Sequence, residues 1–164
     1  MQKRVYRQLV LGLAILLPYS NALGSQTPSP TPPNRETIAA VVQELDAAWN
    51  AREPGRFSAV FSEDGSFGFP VEGIALRGRD EIRAHYAKLF PKMPSDLRHL
   101  TTIGNFEIIN PDLVAVDFEV HILGTDPKTG SAQAPLLHYH GLGLGVRTDS
   151  GWRIRLARVY PVAK

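Results

Sequence analysis

The stretch LLHYHGLGLG, residues 136–145, sets two histidines two positions apart and then a glycine at every second position. Strand side chains alternate between faces, so His138 and His140 share one side while Gly141, Gly143 and Gly145 share the other. Leu136, Leu142 and Leu144 accompany the histidines, and these apolar companions predict that their face looks inward, toward a pocket. Imidazole titrates near neutral pH, so a pair of pocket histidines offers a general base. Two other roles stay open: core or rim histidines bonded to nearby backbone or acids, and metal ligands. Metal is the least favoured of the three. The chain has no cysteine, so a third ligand would have to come from elsewhere, such as His99 or His121. His121 alternates with the apolar residues of its own stretch and is expected to face outward, so no metal is expected.

The glycine face carries its own expectation. Three alternate positions without side chains let another backbone approach closely. They are read either as a sharper strand curvature or as a dimer contact flanked by Tyr139 and Arg147. A phosphate cradle does not fit, because the glycines lie within a strand and no helix follows. Trp49, Tyr86 and Tyr160 each join an apolar body to a polar tip, and with Phe67 they are candidate walls of a small-molecule pocket. The same aromatic spacing also serves an ordinary core. Arg158 alternates in step with Trp152, Ile154, Leu156 and Tyr160, which places it inward to pair an acidic ligand, or at a rim in water. The candidate catalytic residues are therefore His138, His140 and Tyr86, with Tyr160 as another possible donor. The candidate ligand-binding residues are Trp49, Phe67, Tyr86, His138, His140, Arg158 and Tyr160.

The elements that must position these residues follow from periodicity. Ile38, Val41, Val42, Leu45 and Trp49 recur at helical spacing behind an Asn34 cap, which predicts a first helix ending near Glu53-Pro54-Gly55. A short helix follows over about 55–61, with Phe57, Val60 and Phe61 inward. SEDG reads as a turn into a short strand, SFGFPV. A third helix opens at GRDE, where Asp80 and Glu81 complement the positive helix end, and buries Ile82, Tyr86, Leu89 and Phe90. Beyond it the helical period gives way to alternation. Residues 97–109 read as a strand, and in the next one Val114, Val116, Phe118, Val120 and Ile122 alternate with Asp117, Glu119 and His121. The turns TDPKTG and TDSG bracket the histidine strand, and Trp152, Ile154 and Leu156 alternate with Arg153 and Arg155 in the last. Asp117 and Glu119 could oppose Arg153 and Arg155 on the outer surface. Helices first and antiparallel strands after predict an α+β domain, a curved sheet with helices on one face.

The 164 residues allow one domain of ordinary size. Residues 1–24 have the grammar of a secretory signal peptide: Lys3, Arg4 and Arg7, an apolar run from Leu9 to Leu17, then Ala22, Leu23 and Gly24. The run is too short to span a membrane, so no membrane association is expected once it is cleaved. Residues 25–34 form a proline-rich linker, and 35–164 the domain. Three of the 18 basic residues fall in the leader and none of the 16 acidic ones does, so the remainder carries a net charge of about −1. The basic character of the whole chain thus belongs to the leader, and nucleic acid is not an expected partner. Without cysteine, an exported protein has to be held by its core alone.

Several local motifs stand in an order that resembles a known family. They are AAWNARE at the end of the first helix, FSEDGSF, LRGRDEIRAHYAKLF, INPDLVAVD and GVRTDSGWRIRLARV. Over residues 37–160 the chain resembles the SnoaL-like members of the nuclear transport factor two superfamily, in particular the SgcJ/EcaC-like branch. The resemblance implies a cone: three helices wrapped by a bent antiparallel sheet, with one pocket at the wide end. It also implies homodimers through the outer sheet face; the ligand expected in the pocket is a small apolar or aromatic molecule, and no cofactor is expected. Such proteins include isomerases, cyclases, epoxide hydrolases, dehydratases and members without known activity, so the fold does not fix a reaction. The steroid isomerase pattern requires a tyrosine on the first helix, where this chain carries Trp49. The limonene epoxide hydrolase pattern requires a buried Asp, Arg, Asp group, which the predicted inward faces do not contain. The expectation is an exported, secreted or periplasmic, small-molecule-binding domain acting by acid/base chemistry, or a non-catalytic binding or dimeric interaction module.

Overall fold

A computed structural model describes residues 33–163. The predicted leader and most of the proline-rich linker lie outside the described residues. Helix α1, Arg35–Asn50, starts where Asn34 Oδ1 accepts the Thr37 backbone N–H at 2.8 Å, a side-chain cap that satisfies one of the free amides of the first turn. Helix α2, Pro54–Ala59, opens on a proline, whose missing N–H costs nothing at that position. Helix α3, Gly78–Leu89, carries Asp80 and Glu81 in its first turn, and Glu81 Oε2 reaches back to accept the Arg77 N–H at 2.8 Å.

The strands are β1 (Phe61–Phe69), β2 (Ile74–Arg77), β3 (Arg98–Asn110), β4 (Leu113–Gly124), β5 (Ala134–Thr148) and β6 (Gly151–Pro161). They form one curved, unclosed sheet in the order β2-β1-β6-β5-β4-β3. Every neighbouring pair is antiparallel except β1 and β6, which run parallel, so the sheet is mixed rather than wholly antiparallel. The expected α+β architecture is present, with helices on one face. Strand β2 was not expected, and SEDG belongs to β1 rather than to a turn. Between Phe61 and Ser66 the β1/β6 register slips, and these residues bulge out of the ladder.

The concave face and the helices share a core of Leu45, Trp49, Phe57, Phe61, Ile82, Tyr86, Phe90, Val120, Ile122 and Val159. A smaller cluster of Ile38, Val114, Val116 and Trp152 lies beside it. Phe57, Phe61, Ile82 and Val114 are fully enclosed, and each such burial is worth about 1.5–3 kcal/mol. Polar ties then fix α1 against β3. Asn50 exchanges two hydrogen bonds with the His99 backbone, its Nδ2 donating to the carbonyl at 3.0 Å and its Oδ1 accepting the N–H at 2.7 Å. Arg52 donates to the Pro94 and Leu97 carbonyls, and its guanidinium lies 4.2 Å from the centre of the Trp49 ring system.

The inward face of β5 is the reverse of the sequence expectation. Tyr139 packs against the core, and Gly141 and Gly143 are buried. A Cβ at Gly141 would collide with the Phe118 ring, and one at Gly145 would stand 2.9 Å from Val114 Cγ2. The glycines are therefore bare so that β4 side chains can lie across β5, and they are not a dimer contact. Leu142, 44% exposed, sits on the outer face with His138 and His140. The apolar leucines that suggested an inward histidine face mark the outside of the sheet instead.

Strand β6 changes parity midway. Leu144 pairs with Leu156 and the next residue, Gly145, pairs with Ile154, so Arg155 is an extra residue. Up to this bulge Trp152 and Ile154 point inward; beyond it Ala157 and Val159 do. One inserted residue sends everything after it to the opposite face, which is why Arg158 and Tyr160 are not inward as predicted. Arg155 is held at the bulge by the 62–65 segment. Its Nε lies 3.2 Å from Asp64 Oδ2, and its guanidinium donates to the Asp64 carbonyl at 2.7 Å. The suggested pairing of Asp117 and Glu119 with Arg153 and Arg155 does not form: Arg155 is bonded to Asp64, and Arg153 donates to the Trp152 carbonyl.

Candidate functional site

Helix α1 turns Val41, Val42, Leu45 and Trp49 toward an internal cavity of about 350 Å³. Helix α3 adds His85, Tyr86 and Leu89, and the inner sheet face supplies Phe67, Phe69, Val116, Phe118, Val120 and Tyr139. Leu89 and Leu137 line the cavity yet are 36% and 48% exposed, and with exposed Glu72 they mark its mouth. An apolar cavity with few polar groups is the usual form of a small-molecule site.

Those polar groups are specific. His99 lines the wall from β3, beside Trp49 at 5.1 Å between ring centres. Its Nδ1 lies 2.7 Å from Asp46 Oδ1. Asp46 Oδ1 also accepts the Thr101 hydroxyl at 2.7 Å, and Oδ2 accepts the Thr101 N–H at 2.8 Å. A carboxylate can only accept, so the proton of this contact sits on His99 Nδ1 and the basic lone pair is on Nε2. An imidazole oriented by an acid, with its second nitrogen free for a proton, is the arrangement of a general base.

Tyr86 is almost fully buried, and desolvation, with a smaller contribution from Tyr139, pushes its phenol far above the ordinary value. It therefore stays a neutral hydrogen-bond donor through the whole physiological range. Tyr139 is raised as well, first by burial and then by the Glu72 charge at the mouth. Arg153 also touches the cavity, and its Nε is buried without a hydrogen bond.

Of the residues singled out from sequence, Trp49, Phe67 and Tyr86 line the cavity together. His138, His140, Arg158 and Tyr160 do not. His138 stacks on His121 at 4.3 Å on the outer face, and His140 is exposed there. Arg158 donates to Ser66 Oγ at 2.9 Å, and Tyr160 is 42% exposed. Sequence reasoning left His99 without a face and did not single out Asp46. The available signal was Asp46 itself, a carboxylate between Leu45 and Trp49 at the border of the apolar stripe.

Residues 42–162 match the model of a family described as the SnoaL-like domain. No curated protein matches the chain. Among solved structures it is similar to a protein of unknown function from Mycobacterium tuberculosis, with a TM-score of 0.68 and 21% identity over 79% of this chain and 72% of that one. An NTF2-like protein with a cystatin-like fold from Novosphingobium aromaticivorans gives 0.66 and 17%, over 78% and 81%. A ketosteroid isomerase-like protein from Erwinia carotovora atroseptica gives 0.61 and 20%, over 79% and 96%. At these identities the likeness establishes the fold.

Proposed function

We propose, from the premise that this chain belongs to the SnoaL-like domain family, that its cavity binds a small apolar, ring-containing molecule and moves a proton on it. His99 is the base, Asp46 the residue that orients it, and Tyr86 the neutral donor. The observation that carries this reading is the His99 ring in a mostly apolar cavity wall, bonded from behind by Asp46. An apolar cavity gains little from an imidazole hydrogen-bonded to a carboxylate unless the imidazole has work to do, since burying the carboxylate beside it is costly.

The chemistry suited to these groups is proton abstraction next to a carbonyl. The C–H proton passes to His99 Nε2, the resulting imidazolium is held beside the Asp46 carboxylate, and the developing enolate oxygen accepts from the Tyr86 hydroxyl. Return of the proton to another carbon completes an isomerisation, and loss of a leaving group completes a dehydration. The fold likeness to a ketosteroid isomerase-like protein agrees with a ring-containing ligand. Trp49 on α1 replaces the tyrosine of the steroid isomerase pattern, so a steroid reaction of that exact design is not the proposal.

The test is incubation with a bicyclic ketone such as 2-tetralone in deuterated buffer, following deuterium uptake at the carbons beside the carbonyl. Uptake faster than buffer and lost in His99→Gln supports the reading. Binding of the ketone without uptake makes the cavity a carrier site, a non-catalytic module of the same fold. The same reading has residues 1–24 removed on export and two copies paired through the outer sheet face, where Leu100, Leu142 and Tyr160 are 49%, 44% and 42% exposed. N-terminal sequencing of exported protein and light scattering of Leu142→Asp check these two parts.

A further inference from the structure

On the convex side of the sheet, away from the cavity, three potential ligands converge. His121 and His138 are direct cross-strand partners in the β4/β5 register, and their rings stack at 4.3 Å with 14° between planes. Both present Nε2 to one oxygen: Glu119 Oε2 lies 3.7 Å from His121 and 3.4 Å from His138. All three ligand atoms fall within 4.8 Å of one another.

As a hydrogen-bonded cluster this arrangement is poor. Both contacts exceed hydrogen-bond length, and His138 Nε2 is buried with no hydrogen-bond partner. Two imidazolium rings stacked face to face would repel each other, so one carboxylate cannot be satisfied by charging both. As a coordination sphere the spacing is good. Ligand atoms at about 2.0–2.2 Å from a tetrahedral ion stand about 3.3–3.5 Å apart, so the Glu119 oxygen is already near that spacing from both nitrogens, and binding needs the two stacked rings to turn so that their Nε2 lone pairs converge on the ion. Adjacent antiparallel strands hold the two histidines in place, and the glutamate comes from the same face two residues before His121.

We propose that Glu119, His121 and His138, on the outer sheet face beside the residues assigned above to pairing of two copies, form a site for a divalent transition-metal ion of borderline softness, zinc or copper(II). Two nitrogens and one carboxylate oxygen suit these ions better than calcium or magnesium, which prefer all-oxygen shells. The site uses the histidine of LLHYHGLGLG that pairs with His121, and leaves out His140, which stands opposite Glu119.

The experiment is isothermal titration of zinc, copper(II) and calcium into the untagged full chain after chelator treatment. One zinc ion per chain is expected, with affinity at least about tenfold weaker in His121→Ala and His138→Ala and unchanged in His140→Ala. Circular dichroism checks that the variants are folded, and Glu119→Gln, which keeps the side-chain volume, gives an independent loss of affinity. Zinc binding that survives in the His121→Ala/His138→Ala double variant overturns the proposal. So does absence of zinc uptake by the parent protein, or a preference for calcium.

Discussion

Gly141→Ala tests the inverted face of β5 most sharply. The new Cβ would collide with the tip of the Phe118 ring and would lie 2.9 Å from the Arg158 carbonyl oxygen on β6. The ring can swing toward the cavity, but the carbonyl is part of the β5/β6 ladder and moves only with the strand. Overpacking of this kind costs about 1–3 kcal/mol, which for a domain of this size lowers Tm by about 3–12 °C. Gly143 supplies the control on the same strand and face. A Cβ there would sit at 3.4 Å from Phe118 Cε1 and 3.6 Å from the Leu156 carbonyl oxygen, both ordinary contacts. Gly143→Ala is therefore expected within about 0.5 kcal/mol of the parent. The assay is urea unfolding followed by tryptophan fluorescence, with Gly141→Ala also measured in a Phe118→Leu background. Partial recovery there apportions the cost between ring and carbonyl. If Gly141→Ala is as stable as the parent, the glycines do not lie beneath Phe118 and the inward assignment of β5 fails.

Three other outcomes follow from the same structure. Asp46→Ala strands the Thr101 N–H and hydroxyl together with His99 Nδ1, and should cost about 2–3 kcal/mol in chemical denaturation as well as ketone proton exchange. Tyr86→Phe keeps the ring in its aromatic cluster with Phe57 and Phe90, so it should unfold within about 1 kcal/mol of the parent while slowing exchange by about tenfold or more. Glu44 is held below its ordinary value by its hydrogen bond to Arg56, and Asp96 by its hydrogen bonds to Thr125. A lowered folded-state value means that their stabilisation is present above the unfolded values of 4.5 and 3.8 and is lost as pH falls through the folded ones. Glu44→Gln should therefore flatten the acid limb of a Tm-against-pH curve while leaving neutral pH nearly unchanged, the pair being solvent-exposed.

The helices were legible because each buries one stripe. Ile38, Leu45 and Trp49 on α1, and Ile82 and Tyr86 on α3, are buried as their 3.6-residue period requires. Strand β4 was legible for the same kind of reason, since Val114, Val116, Val120 and Ile122 alternate with polar residues and are all buried. Strand β5 defeated the argument because its inner face is glycine and its outer face carries leucine, a pattern that only the bulk of Phe118 and Val114 explains. In β6 the period broke at Arg155, and nothing in RIRLAR announces a bulge that depends on Asp64 some 90 positions earlier. The cavity's walls at Trp49, Phe67 and Tyr86 could thus be named from sequence. Its base could not, because joining Asp46 to His99 requires knowing that α1 crosses β3.

The central claim is that His99, oriented by Asp46, moves a proton on a ligand in the cavity. The most direct measurement is the rate of deuterium uptake into 2-tetralone catalysed by the parent, His99→Gln and the His138→Ala/His140→Ala double variant, each at saturating ketone. The account predicts uptake that disappears in His99→Gln and persists in the double variant. Uptake that survives without His99, or that depends on His138 and His140, would contradict it.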